Sequence, residues 1–338
     1  MKNNKIIENC LEGDNDLFTE IKKQRGNNVV EDVTIDGASG KNIPKKFASI
    51  YGELFNREDD NENISDLMDS INGHLCNDDL EELNKVNLNL VKEAVTKLKP
   101  NKTDPIWDFS TDFLKAAPDI LYHHLAEVIK SFLVHGHVSQ HLLLATLVPL
   151  VKDKLADICS SSNYRSIAIS SILLKLLDWI VIICYGHLLK LDDLQFGFQK
   201  ENSTSLCSWM VFETIDCYIR SGSIIYGVLM DCTKAFDTIQ HSKLFKKMLD
   251  AKVPGILVRL LIYMYRSQMA EVRWKDSYSE QFPISNGVGQ GAILSPILFC
   301  FYVNDLFQTL REARTGCHIG NLFVGAMGYA DDLLLLCP

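Results

Sequence analysis

The sequence predicts an α+β fold, and three observations carry that prediction. Long stretches place apolar residues at helical spacing, among them 111–135, 172–189 and 256–267. Between them lie short apolar runs bounded by turn residues, which read as hairpins: Thr146–Lys152 with the stretch at Tyr164-Arg165, Met269–Lys275 with Gln281–Ile284, and Leu322–Val324 with Leu333–Leu336. The run Ser223–Met230 reads as a strand buried on both faces, and it ends at Asp231.

Size and charge bound the function. At 338 residues the chain holds two domains, or one with an extension. A hydrophobic content of 47% supports a sizeable core, and 23% charged residues is ordinary for a soluble protein. The net charge of -9 is uneven: residues 1–100 carry 13 Lys+Arg against 20 Asp+Glu, whereas residues 151–275 carry 16 against 12. An acidic chain argues against general nucleic-acid binding, but phosphates respond to local charge, and the middle third is basic. The ten cysteines form no C-x-x-C pair, so zinc-knuckle spacing is absent. Cys184, Cys300 and Cys337 lie in apolar stretches and read as buried free thiols of a reducing compartment, which places the protein inside the cell, in cytoplasm or nucleus. The start Met1-Lys2-Asn3-Asn4-Lys5 has no apolar signal core. Ile172–Leu189 is interrupted by Lys175 and Asp178 and reads as a buried helix, not a membrane span.

In chain order, residues 1–77 are polar and Asn-rich and read as a partly disordered linker with docking helices. One helix covers Pro44–Phe55, with Phe47, Ile50, Tyr51 and Leu54 on one face, before the solvated run Arg57–Asn63. Asp78 or Asp79, with Glu81 or Glu82 as return partner, caps a helix that carries Leu90, Val91, Val95 and Leu98 and stops at Pro100. Asn101–Phe109 is a loop, and Pro118 breaks helix 111–135. His123, His124, His135, His137 and His141 fit no compact ligand set and read as surface or capping residues. Ser170-Ser171 caps 172–189, and Ser203-Thr204-Ser205 caps a helix through Arg220. Helix His241–Ala251 turns Leu244, Phe245, Met248 and Leu249 to the core and ends at Val253-Pro254-Gly255. Ser295, with Pro296 at the first position, caps the last long helix.

The chemistry concentrates at strand ends. Asp231 closes one apolar strand, and Asp331-Asp332 occupy the tight break between two others. Asp is also an ordinary turn residue, so the pair gains meaning only beside Asp231. A carboxylate buried at a strand end needs a cationic partner, here Lys234 or a metal ion. If the strands are neighbours, the facing carboxylates repel unless hard cations neutralise them. Lys152 and Arg165 flank one hairpin, as a polyphosphate clamp or as a solvated pair. Gly287-Val288-Gly289-Gln290-Gly291 lets backbone approach a ligand, or serves as a structural turn.

Leu229-Met-Asp231-Cys-Thr-Lys-Ala-Phe-Asp-Thr-Ile239, Gly287-Val-Gly-Gln-Gly-Ala-Ile-Leu-Ser-Pro-Ile-Leu-Phe299 and Tyr329-Ala-Asp-Asp332 resemble, in order, the three palm motifs of reverse transcriptases, above all those of non-LTR (LINE-type) retrotransposons. Gln195–Lys200 with Ser203-Thr204 is similar to a fingers motif of that group, and Val148–Lys152 and Asn163–Ile167 to the motifs before it. The resemblance spans about residues 78–338. It implies a right-hand polymerase, with fingers and a partial palm whose antiparallel sheet packs on helices, and with the thumb missing. It implies an RNA-directed DNA polymerase acting on an RNA template, a DNA primer and deoxynucleoside triphosphates, with no membrane and no small-molecule cofactor. Asp231 and Asp331, supported by Asp332, are the implied holders of two Mg2+ ions, with Mn2+ as the substitute ion. Phe236 falls at the steric-gate position, Gln290 and Gly291 line the nucleotide pocket, and Lys152 and Arg165 meet the triphosphate. The sequence departs from the family at Gly289 and Ser166, where Pro is usual, and at Gln199, where Arg is usual; the glycine expected near Asp104-Pro105 is missing. These departures, with the stop at Pro338, lead to the expectation of a truncated element copy. The alternative is a catalytically dead nucleic-acid-binding remnant; an RNA-dependent RNA polymerase conflicts with the bulk of Phe236.

Overall fold

The computed structural model of the protein describes residues 33–56, 61–74, 81–232, 234–289 and 291–338. Residues 1–32, Arg57–Asp60, and Asp78 and Asp79 lie outside them. Helix α1 (Ile43–Phe55) buries Ile43, Phe47, Tyr51 and Leu54, the stripe its spacing requires. Next come α2 (Asn61–His74) and α3 (Leu88–Lys97). Asn87 caps α3, its side chain accepting from Leu90 N at 3.1 Å. The expected capping aspartates lie outside the described residues, and the helix that carries Leu90, Val91 and Val95 starts only at Leu88, after the 3-10 turn Glu82–Lys85 and extended Val86. Then α4 (Thr111–Lys115) and α5 (Asp119–His135) divide at Pro118, and Gly136 ends α5 with φ 67°.

Strands β1 (Leu144–Val151) and β2 (Tyr164–Ile169) form an antiparallel hairpin. Helix α6 (Ile172–Tyr185) is capped by Ser171, and α7 (Thr204–Arg220) by Ser203. Strand β3 (Tyr226–Asp231) follows, then α8 (His241–Asp250) and α9 (Gly255–Arg266). Strand β4 (Met269–Trp274) turns at Lys275 into β5 (Ser277–Tyr278), and β6 (Phe282–Pro283) returns to β4. After α10 (Ser295–Glu312) come β7 (His318–Ile319), β8 (Leu322–Phe323), β9 (Ala326–Tyr329) and β10 (Asp332–Cys337).

The strands build a mixed sheet, β2-β1-β4-β5 with β6 also on β4, in which β1 and β4 run parallel. A separate antiparallel sheet has the order β3-β10-β9. One large core joins α3, α5, α6, α8, α9 and α10, with Leu244, Leu260 and Leu298 fully buried. A second cluster forms where α1 lies on the mixed sheet, around Phe47, Leu147 and Val272. Alternation along β10 serves both faces of the smaller sheet: Leu333 meets Phe307 of α10, whereas Leu336 and Leu334 belong to the cluster with Met210 and Val211 of α7.

Several expectations are corrected. Strand β3 is not buried on both faces. It is an edge strand, with Tyr226 64% and Leu229 79% exposed. An apolar run alone does not distinguish a covered strand from an edge with open faces. The partner of Leu333–Leu336 is Ala326–Tyr329, while Leu322–Phe323 pairs with His318–Ile319; Gly325 separates the two pairings. Ser295 is the first residue of α10, not its cap, and the residue at the cap position is Leu294. Of the cysteines expected to be buried, Cys300 is buried, Cys184 half-buried and Cys337 exposed at the end of β10. Among the described residues no helix is long and apolar enough to cross a membrane.

Candidate active site

The site begins at the register of the antiparallel sheet. Asp231, the last residue of β3, lies directly opposite Asp332, the first residue of β10. Asp332 also pairs with Tyr329, so Ala330-Asp331 form a two-residue hairpin turn, with Ala330 at φ 59°. Three carboxylates are thereby gathered at one end of one sheet. Cys232 records their field: burial pushes its thiol up first, then the charges of Asp331, Asp231 and Asp332. Burial, and after it Asp331, pushes the Cys300 thiol up to about 12. Among the described residues none of the three aspartates makes a side-chain hydrogen bond or ion pair.

Gln195 fixes the turn that carries Asp331. Its Nε2 donates to Ala330 O at 3.1 Å, and its Oε1 accepts from Ala330 N and Gly197 N, both at 2.9 Å. Backbone bonds Phe196 N to Gly328 O and Gly328 N to Leu194 O complete the seam. A Cβ on Gly197 would sit 2.2 Å from Ala330 N, so only glycine allows this approach.

Asp231 and Asp331 line an open cleft of about 770 Å³. Lys152, at the end of β1, and Arg165, opposite Leu150 on β2, line it as well. Lys152 Nζ donates to Ser162 O at 3.3 Å; Arg165 has no ion-pair partner among the described residues. The ring of Phe236 stacks on Phe299, centroids 4.7 Å apart, which holds it at the cleft wall. The glycine loop is sewn to the 3-10 turn Ala235–Thr238 that carries Phe236: Val288 N donates to Phe236 O and Gly287 N to Ile239 O. Buried His241 donates from Nε2 to Gly287 O at 2.7 Å. Gly291, at φ 118°, lines the cleft where a Cβ would lie 2.6 Å from Ala168 O.

Residues 152–338, more than half the chain, match the family described as reverse transcriptase (RNA-dependent DNA polymerase). The chain belongs to the reverse transcriptase family. Similar proteins include the Pol polyprotein of type-2 retrotransposable element R2DM from Drosophila melanogaster, 25% identical over 221 residues, which are 65% of this chain and 21% of that protein. The R2 Pol polyprotein of Nasonia vitripennis is 27% identical over 64% of this chain and 21% of its own length. The RNA-directed DNA polymerase of mobile element jockey from Drosophila funebris is 25% identical over 74% of this chain and 27% of its own length. The chain thus spans less than a third of the relatives it matches.

In this chain the cleft brings Asp231, Asp331, Lys152, Arg165, Phe236 and Gly291 together. Asp332 stands beside Asp231 in the sheet but outside the cleft lining, and Gln290 lies outside the described residues. Asp231 is exposed rather than buried, and Lys234, although it lines the cleft, forms no ion pair with it. The edge position of β3 explains both facts: water already solvates the carboxylate. Three contributors escaped the sequence reading. Gln195 was visible only as part of a motif. Tyr51, from α1, reaches the cleft with a buried hydroxyl that has no hydrogen-bond partner among the described residues, and burial pushes its pKa far above the usual phenol range. Asp178 holds the start of α10. An aspartate inside an apolar helix was the available signal for the last.

The donor set suits a hard cation: all-oxygen carboxylates, adjacent and in no ion pair among the described residues. Among the described residues no group of three or more His, Cys, Asp and Glu side chains is arranged to hold a metal ion by itself. Asp231 and Asp331, both lining the open cleft, fit a hard cation such as Mg2+, which they would hold accessible from the cleft.

Proposed function

We propose that this chain carries the RNA-directed DNA polymerase site of a non-LTR retrotransposon, adding deoxynucleotides to a DNA primer on an RNA template. The observation that carries the reading is the convergence of Asp231 and Asp331 in one cleft with Lys152 and Arg165. The antiparallel sheet β3-β10-β9 is assigned to the palm, and the β1–β2 hairpin with α1 behind it to the fingers. Asp231 and Asp331 would hold two Mg2+ ions, with Asp332 in support. Bound there, the ions lower the pKa of the primer 3′-hydroxyl and neutralise the leaving pyrophosphate. Lys152 and Arg165 bind the triphosphate through charge-assisted hydrogen bonds and aim its α-phosphorus at the primer end. Phe236, braced by Phe299, closes the space a ribose 2′-hydroxyl would need. Gly291 lets the templating base approach backbone. The cleft volume lies in the range of small-molecule sites, about 300–1,000 Å³.

Primer extension tests the reading. The purified chain, given Mg2+, a poly(rA) template, an oligo(dT) primer and dTTP, extends the primer; Asp231→Asn and Asp331→Asn abolish extension. Extension that persists unchanged in either variant overturns the assignment.

A further inference from the structure

Asp178 is a carboxylate buried in the middle of α6, between Leu177 and Trp179. Its Oδ2 accepts from Ile293 N at 3.1 Å and from Leu294 N at 3.4 Å. Those amides stand at the entry to α10, where N–H groups have no intrahelical partner. The three residues before Ile293 complete the glycine loop, whose Gly289 and Gly291 line the cleft. Helix α6 is itself anchored by a second buried carboxylate. Asp104 Oδ2 accepts from Ser171 Oγ at 2.9 Å and Ile172 N at 2.7 Å. The chain of caps therefore runs from the 101–109 loop through α6 to the loop at the cleft.

A cap that served α10 alone could come from the adjacent Ser295, as the sequence suggests. Ser295 makes no such bond, and the role falls to a residue 115 positions away on another helix. A charge placed there ties α6 to the end of the glycine loop. The groups facing Asp178 are few. Lys175, on α6, is attracted by both Asp104 and Asp178, with Lys102 opposing, and Tyr265 of α9 feels the Asp178 charge.

We propose that Asp178 is a positioning residue for nucleotide binding: its ionised carboxylate holds Ile293 and Leu294, and through them sets the glycine loop against the deoxynucleoside triphosphate. The inference rests on the polymerase reading of the cleft only for the identity of the ligand. The balance of forces makes the device sensitive to acidity. Burial pushes the Asp178 carboxyl up to about 6, opposed by the Leu294 and Ile293 amides and by Lys175. Protonation exchanges two charge-assisted bonds for weaker neutral ones.

Two measurements on the full chain decide it. Amide hydrogen exchange of segment 286–294, normalised to α9, is expected to quicken about five- to tenfold in Asp178→Asn. In the wild type the same normalised rate is expected to rise as pH falls from 7.5 to 5.5, which requires no variant. Titration with a fluorescent dTTP analogue in Mn2+ is expected to show tighter binding from pH 5.5 to 7.5. Part of that slope belongs to the triphosphate itself; the Asp178→Asn profile supplies that part and is shallower than the wild type's. Equal exchange in the two proteins, with no pH response of the wild-type loop, overturns the proposal. So do superimposable binding profiles. If the wild type binds no nucleotide at all while the loop responds as expected, the loop device stands and the polymerase reading falls.

Discussion

Replacing Gln195 by alanine tests how the turn that carries Asp331 is held. The side chain is 1% exposed and makes three hydrogen bonds, of 2.9, 2.9 and 3.1 Å, to Ala330 N, Gly197 N and Ala330 O. At about 1 kcal/mol net for each bond, Gln195→Ala costs about 3 kcal/mol. Part of Ala330 reaches solvent, which lets water recover some of that loss, whereas Gly197 N is buried and keeps its full penalty. The functional loss exceeds the loss of stability, because Asp331 adjoins the released residue and cation binding needs its placement. Gln195→Glu retains an acceptor for the amides but cannot donate to Ala330 O, and it adds a fourth carboxylate beside the cluster. Urea unfolding gives the stability, and Mn2+ titration followed by electron paramagnetic resonance gives the cation affinity. A Gln195→Ala protein that unfolds within about 0.5 kcal/mol of wild type and binds Mn2+ equally well would refute the clamp. Gly197→Ala is expected to be at least as damaging, since its Cβ would meet backbone 2.2 Å away.

Arg165→Ala should raise the KM for dTTP about ten- to a hundredfold, the loss of one or two charge-assisted bonds, with a smaller change in kcat; steady-state extension checks this. Phe236→Ala should let UTP compete with dTTP, narrowing discrimination by about tenfold or more in single-nucleotide extension. Asp178 also predicts a stability profile. Its folded pKa, about 6, lies above the ordinary 3.8, so the folded state binds the proton more tightly. The Asp178 contribution therefore falls as pH rises from about 4 to 6, by about 3 kcal/mol in all, and stays low above that. Urea unfolding at pH 4.5 and 7.5 should show this slope in the wild type minus that in Asp178→Asn.

Much of the site was legible because its residues terminate local patterns. Asp231 ends an apolar run, Asp331 interrupts two, and Lys152 closes a third, so hydrophobic periodicity alone marked their places. Helices α5, α6, α7 and α9 announced themselves by caps, proline breaks and spacing. What periodicity does not encode is which neighbour covers a face or pairs with an edge. For that reason the apolar run of β3 predicts burial that the edge strand lacks, and the spacing gives Leu322–Val324 the partner that belongs to Ala326–Tyr329. The Gln195 clamp spans 135 positions and the Asp178 cap 115, so no local window contains either. Tyr51 illustrates the same limit: its helical spacing foretold burial against a core but not which cleft the helix would wall.

The pairing of Asp231 with Asp331 is tested most directly by a double-mutant cycle on Mn2+ binding in the presence of dTTP. If the two carboxylates share one site, Asp231→Asn and Asp331→Asn each remove most of the binding, and the double variant is no worse than either single one. Independent, additive partial losses, or full binding in either single variant, would show that the two side chains serve different places and contradict the shared site.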